Sequence, residues 1–151
     1  MKILLLYFTL TLVFLENCKS QSTHIEQKTT SALQKSYIEE NVPDNKTFDG
    51  VLKRDLTSYF SPIYKDATVQ SELLRQGATQ SGVAYPKFYL WIKIYQHEKL
   101  VNQGAVRVAA IEKKKFEVTD FVSILEITNS SKDIYSIFPA MVCEKIKSHL
   151  K

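Results

Sequence analysis

From Lys87 to Tyr95 the hydrophobic and polar positions alternate without a break. Phe88, Leu90, Ile92 and Ile94 fall on one side, and Lys87, Tyr89, Trp91, Lys93 and Tyr95 on the other. Nearly every residue of the run is β-branched or aromatic, the types that a pleated surface favours. After the polar His97, Glu98 and Lys99, a second run from Ala105 to Ile111 places Val106, Val108 and Ala110 together. The stretch from Val83 to Glu112 therefore predicts a long β-hairpin around which the chain is organised. Matching the aliphatic faces sets Leu90 opposite Val108 and Ile92 opposite Val106, and so Trp91 opposite Arg107 and Tyr95 opposite Gln103. That register asks for a three-residue loop centred on Lys99 and a bulge near Gly104. One face becomes an aliphatic core and the other an amphipathic aromatic surface.

The flanking segments supply the partners for those faces. Ser31 to Glu40 carries Leu33, Tyr37 and Ile38, a weak helical signal that Pro43 ends. Phe48, Val51, Leu52, Leu56, Tyr59 and Phe60 follow helical spacing from a cap at Asp44 or Thr47 to Ser61-Pro62. Thr68 to Arg75 reads as a strand, followed by a loop from Gly77 to Gly82. Phe116 to Val118 reads as a short strand, with Thr119-Asp120 capping a brief helix that runs to Leu125 or Ile127. Ile134, Ile137, Phe138, Met141, Val142, Ile146 and Leu150 fall on one stripe of a C-terminal helix that Pro139 either kinks or restarts. The fold class predicted is α+β, a curved antiparallel sheet of about four strands packed on an N-terminal helix, with a helix at the C-terminus. Residues 21–43 read as a tether and weak helix, and residues 44–151 as a single domain.

The first twenty residues change the picture of where the chain works. One basic residue, an apolar run from Ile3 to Leu15 and a short polar stretch form a secretory leader, too short to span a bilayer. Two processing routes fit: cleavage after Ser20, or a loose lipobox, Leu15-Glu16-Asn17-Cys18, that leaves Cys18 as a lipidated first residue. Cys18 and Cys143 are the two cysteines, so loss or lipidation of Cys18 leaves no disulfide within the domain. Cys143 is then expected to behave as a small hydrophobe. The net charge of +4 comes from 20 basic and 16 acidic residues scattered along the chain. That dispersal argues against a nucleic-acid partner, which selects clustered Lys and Arg. The one dense run, Lys113 to Lys115, reads as a solvated turn.

Two places could carry chemistry. Asp55 projects between Phe48 and Val51, on the apolar side of its helix, where a partly buried carboxylate is a candidate general base or ligand acceptor. The alternative is a rim residue that bonds a neighbouring side chain. Tyr85, Tyr89, Trp91 and Tyr95, with Arg107 and Lys93 among them, could form a surface for a peptide, a glycan or an anionic ligand, unless helices cover it. His97 with Glu98 sits at an exposed turn tip, and His24 and His149 have no partner at ligand spacing, so no metal site and no cofactor are expected. No phosphate loop, nucleophile elbow or paired-cysteine motif is present.

The end of the leader, Asn17-Cys18-Lys19-Ser20-Gln21, resembles the lipoprotein signals of small exported proteins of Bacteroidota. The order helix, strand, long hairpin, short strand and helix over about residues 44–127 is similar to the NTF2-like and cystatin-like α+β rolls. The NTF2-like resemblance implies a pocket between helix and sheet, near Asp55, and dimerisation through the outer sheet face, near Trp91. The expectation is an exported envelope module, lipid-anchored or secreted, that binds a small ligand or a partner protein through its aromatic sheet face. A homodimer is compatible with it. The alternatives are a small pocket-type hydrolase or isomerase using Asp55, and an inhibitor or immunity-type protein.

Overall fold

The structure is a computed structural model in which residues 30–151 are described. The leader, Cys18 and the tether up to residue 29 lie outside the described residues. The chain divides into two units, Met1–Ser36 and Tyr37–Lys151. Residues 30–36 of the first are helical. The sheet and the helices that cover it belong to the second.

Its class is α+β. Residues 37–41 are helical (α1), and the helix Asn45–Phe60 (α2) follows. Four strands, β1 (Ala67–Leu73), β2 (Lys87–Gln96), β3 (Lys99–Ile111) and β4 (Lys115–Ser123), form one open antiparallel sheet in sequence order. A short helix Ile124–Thr128 (α3), a 3-10 turn Ile134–Ser136 and the helix Ala140–Ser148 (α4) complete the chain.

Both faces of the sheet are covered, over different lengths. On the aliphatic face, Leu52, Leu56 and Phe60 of α2 bury against Val69, Leu90, Ile92, Ile94, Val106 and Val108. Phe48 meets Phe88 and Phe116 edge-on, and Phe60 meets Phe121 at 5.0 Å between ring centres. Each such side chain contributes about 1.5–3 kcal/mol on burial. Asp44 is the N-cap of α2 by backbone geometry, but its side chain makes no cap bond. Thr47 instead donates its hydroxyl to the Asp44 carbonyl.

The hairpin keeps the predicted faces and changes the predicted register. Leu90 pairs with Val106 and Ile92 with Gly104, so Tyr89 rather than Trp91 lies opposite Arg107, and Trp91 faces Ala105. Tyr95 pairs with Leu100 rather than Gln103, and Lys93 takes Gln103. The connection is a two-residue turn, His97-Glu98, with φ of 49° and 63°. Positive φ at both central residues gives the twist that antiparallel strands require. The bulge lies beside this turn rather than at Gly104, with Val101 outside the pairing. The register differs from the expected one by two residues, and a shift of two leaves every side chain on its original face.

Two further expectations are corrected. β4 does not stop at Val118: a bulge at Thr119 lets the strand run to Ser123, and Asp120 pairs with Arg107 instead of capping a helix. Ser123 is the cap. Its hydroxyl accepts the Glu126 N–H, and the Glu126 carboxylate accepts the Ser123 N–H at 2.9 Å. Lys132, the Ser123 N–H and the Ser123 hydroxyl, which also donates to the carboxylate at 2.9 Å, hold Glu126 down to a pKa of about 2. At the C-terminus Pro139 is the N-cap of α4, separated by Ile137 and Phe138 from the 3-10 turn. Met141, expected on the buried stripe, is 77% exposed, and Leu150 is partly exposed.

Candidate functional site

The aromatic face is the first place to look, and its centre is closed. Tyr89 and Trp91 are 5% and 2% exposed. They pack with Ala105 and Val122 beneath Ile134, Phe138, Val142, Cys143 and Ile146 of the C-terminal segment. The His149 ring stacks flat on Trp91, 4.7 Å between centres and 6° from parallel. The Tyr89 hydroxyl is bonded to Thr79 at 2.7 Å. Arg107 donates to Asp120 at 2.7 Å and to the Ile137 carbonyl at 2.9 Å, tying the sheet to the segment that covers it. The predicted aromatic surface is thus largely a second core. Tyr85 lies apart, exposed before β2, and Tyr95 is half-buried at the other end.

Asp55 is positioned as projected, with its side chain 16% exposed. Both of its oxygens are engaged. Arg54 donates to them at 2.7 and 3.1 Å, and the Phe116 N–H donates to Oδ2 at 2.7 Å. Arg54 also reaches the Lys114 carbonyl at 2.7 Å. The pair therefore closes the outer edge of β4, whose N–H and C=O groups would otherwise be open to another strand. A hollow of about 460 Å³ lies beside Asp55, lined by Ser58, Tyr59 and residues 115–118. Asp55→Ala should lower the unfolding free energy by about 1–3 kcal/mol, by leaving a half-buried N–H unmet. Asp55→Asn, which keeps one acceptor oxygen, should cost less. Chemical denaturation of the two variants checks the order, and equal losses would mean that the bond to Phe116 carries nothing.

Two other groups resolve simply. Cys143 is fully buried, its thiol directed at the Ile134 and Phe138 carbonyls, and burial pushes its pKa up, as for an inert thiol. Burial and the neighbouring Arg107 push the Lys87 amine down. Among the described residues no three His, Cys, Asp or Glu side chains converge on a metal position, and no helix is long and apolar enough to cross a membrane.

The place that sequence reasoning missed lies where β4 leaves the sheet. The Ser123–Glu126 capping box turns the chain into α3 at the rung where Ser123 faces Gly104. β3 continues beyond that rung to Lys99, so residues 99–103 have no strand beside them on the β4 side. Strand alternation turns the Gln103 carbonyl toward the β4 side, where the pairing of Gly104 with Ser123 brings the first N–H of α3 beside it. The Gln103 N–H is occupied by the Asn102 side chain, which accepts it at 2.8 Å. A hollow of about 400 Å³ fills the lane, lined by Leu100, Val101, Asn102, Gln103, Ser123, Ile124 and Leu125. Leu100, Val101 and Leu125 are 44%, 39% and 66% exposed. Tyr95 is paired with Leu100 on the β2 side of the strand.

Comparison with protein-family models, with curated proteins and with solved structures finds no match. The site is therefore read from its own chemistry. It offers aliphatic surface and two exposed cations, Lys93 and Lys99.

Proposed function

We propose that this protein is a non-catalytic binding module that docks a partner protein through the apolar hollow at the free end of β3, in the exported setting its leader implies. The observation that carries this reading is that three exposed large aliphatic side chains, Leu100, Val101 and Leu125, line one hollow. A soluble domain gains nothing from grouping such residues at its surface, and grouped apolar exposure marks interaction sites. Asp55, the strongest candidate for catalysis, has both oxygens engaged in closing the β4 edge. The aromatic pair Tyr89 and Trp91 holds the C-terminal segment in place, so neither is offered to a partner.

Photo-crosslinking in the intact source cell tests this. A benzophenone side chain at position 125 should give a discrete protein adduct, and the same group at exposed Lys53 of α2 should not. Leu100→Asp should abolish the adduct. Equal labelling from both positions, or an adduct indifferent to Leu100→Asp, would refute the docking surface.

A further inference from the structure

We infer that the loop before β2 is a second docking element, a preorganised knob at Val83 that enters a narrow apolar pocket on a partner protein. Val83 is 88% exposed, more than any other large hydrophobic residue among those described. It sits at the tip of a turn closed by the Ala84 N–H on the Ser81 carbonyl at 3.2 Å, with Gly82 at the first central position, φ 57°. Glycine supplies the positive φ there, and small or polar residues ordinarily fill the position after it. A valine at that tip contributes nothing to the turn and leaves its side chain in water. The loop around it is nevertheless held. Gln80 Nε2 donates to the Gly82 and Ala84 carbonyls at 2.6 and 3.2 Å, one on each side of Val83. The Tyr37 hydroxyl, from α1, donates to the Val83 carbonyl at 3.1 Å. Arg75 donates to the Gly77 and Ala78 carbonyls, and Thr79 and Lys87 exchange both backbone bonds at the base, at 2.8 and 2.7 Å. Gln80 keeps its hold although its own side-chain oxygen is buried without a partner among the described residues. A loop whose shape is fixed before contact loses less entropy on binding, which is what such a hold provides.

The chemistry of the tip defines the partner. From Gln76 to Pro86 there is no charged residue, in a chain that is 24% charged, so charge does not recognise this surface. The neighbours of Val83 are Gly82 and Ala84, which leave narrow shoulders, and the exposed Tyr85 stands behind them. One branched aliphatic group between small residues is desolvated in full only by a pocket about one side chain wide. The Tyr85 phenol then lies at the rim of that pocket, with its apolar ring inward and its hydroxyl wet. The loop enters β2 at Lys87, whereas the hollow at Leu100 is level with Lys93 to Tyr95, about 20 Å further along the strand. The knob is thus a separate surface and does not rest on the docking reading above.

The full chain, carrying a benzophenone side chain in place of Tyr85, is photo-crosslinked in the intact source cell. A discrete protein adduct is expected. Val83→Asp should reduce its yield about ten-fold with the unfolding midpoint unchanged. Val83→Trp, too wide for the pocket, should reduce it as far, whereas a flat apolar surface would give more adduct with the larger side chain. Tyr37→Phe combined with Gln80→Ala keeps Val83 and frees the loop. In that variant amide exchange at Val83 and Ala84 should speed up, and the adduct should fall about five-fold. Leu100→Asp should leave the adduct at position 85 as it is. No adduct, an adduct indifferent to Val83→Asp or increased by Val83→Trp, or one lost with Leu100→Asp overturns the knob. A full yield from the freed loop, with its exchange raised, overturns the preorganisation on which the inference stands.

Discussion

Trp91→Ala is expected to lower the unfolding free energy by about 3–5 kcal/mol, the range for a buried aromatic truncated in place. Trp91 is 2% exposed and lies at the centre of the second core, between Ala105 on β3 and the buried side chains of α4. It is also the platform for His149, whose ring covers it at 4.7 Å. α4 is only nine residues long and its N-cap is a proline with no side-chain cap bond, so propensity alone does not hold it. Its docking rests on Val142, Cys143 and Ile146 meeting the Trp91 face. Removing the indole leaves a cavity under α4 and releases the C-terminal segment together with Tyr89. Trp91→Phe, which keeps much of the volume, should lose about a third as much. Urea denaturation gives the midpoints, and proteolysis after Lys145 and Lys147 reports whether α4 comes free. A small loss for Trp91→Ala with α4 still protected would mean that the C-terminal segment is held by something other than the aromatic face. A binding defect in Trp91→Ala is expected to follow its stability loss and should not be read as loss of a contact.

The aromatic face illustrates what was legible in the sequence. Alternation in β2 separated its two sets of side chains correctly, because the period of two is set by strand geometry. Which face would be wet was not decided by β2 alone. The stripe Ile134, Phe138, Val142 and Ile146 needed an apolar surface, and with α2 on the aliphatic face the remaining surface was the one around Trp91. The two readings were both present and had to be joined. Register was less legible, because His97 and Glu98 are not the residues that announce a two-residue turn, and the bulge at Val101 absorbs the offset. The end of β4 was written more plainly. Ser123-Ile124-Leu125-Glu126 has the Ser-x-x-Glu pattern of a capping box, and Thr119-Asp120 took its place only because short polar pairs are common caps. With the cap at Ser123, β3 outruns β4, and the exposed Leu125 follows. Asp55 was found by projection, since an acid on an apolar stripe is visible in sequence. Its partner, an edge N–H sixty-one residues away, was not.

Two alanine substitutions of glycine are expected to move stability in opposite directions, and the comparison isolates the tightest point of the sheet. A Cβ on Gly104 would lie 2.3 Å from the Val122 carbonyl oxygen, 2.8 Å from Ser123 Cα and 2.9 Å from the Phe121 ring. Two of these atoms are backbone, so β4 itself would have to move. Phe121 cannot give way freely either, because it stacks edge-on against fully buried Phe60. Gly104→Ala should therefore cost about 3 kcal/mol, at the upper end for overpacking. Gly50 sits in α2 with nothing within 4 Å of the same added atom. There Ala should raise stability by about 1 kcal/mol, since glycine is the poorer helix former. Thermal and urea unfolding of both variants checks the signs. The Gly104 variant carries a second consequence, because the rung it strains is the one at which Ser123 turns the chain away and opens the lane beside β3. Strain there should speed amide exchange in α3 more than in α2, and reshape the Leu125 wall before the sheet is lost. If Gly104→Ala proves neutral, the close crossing of β4 over β3 is wrong, and the lane it bounds loses its defined end.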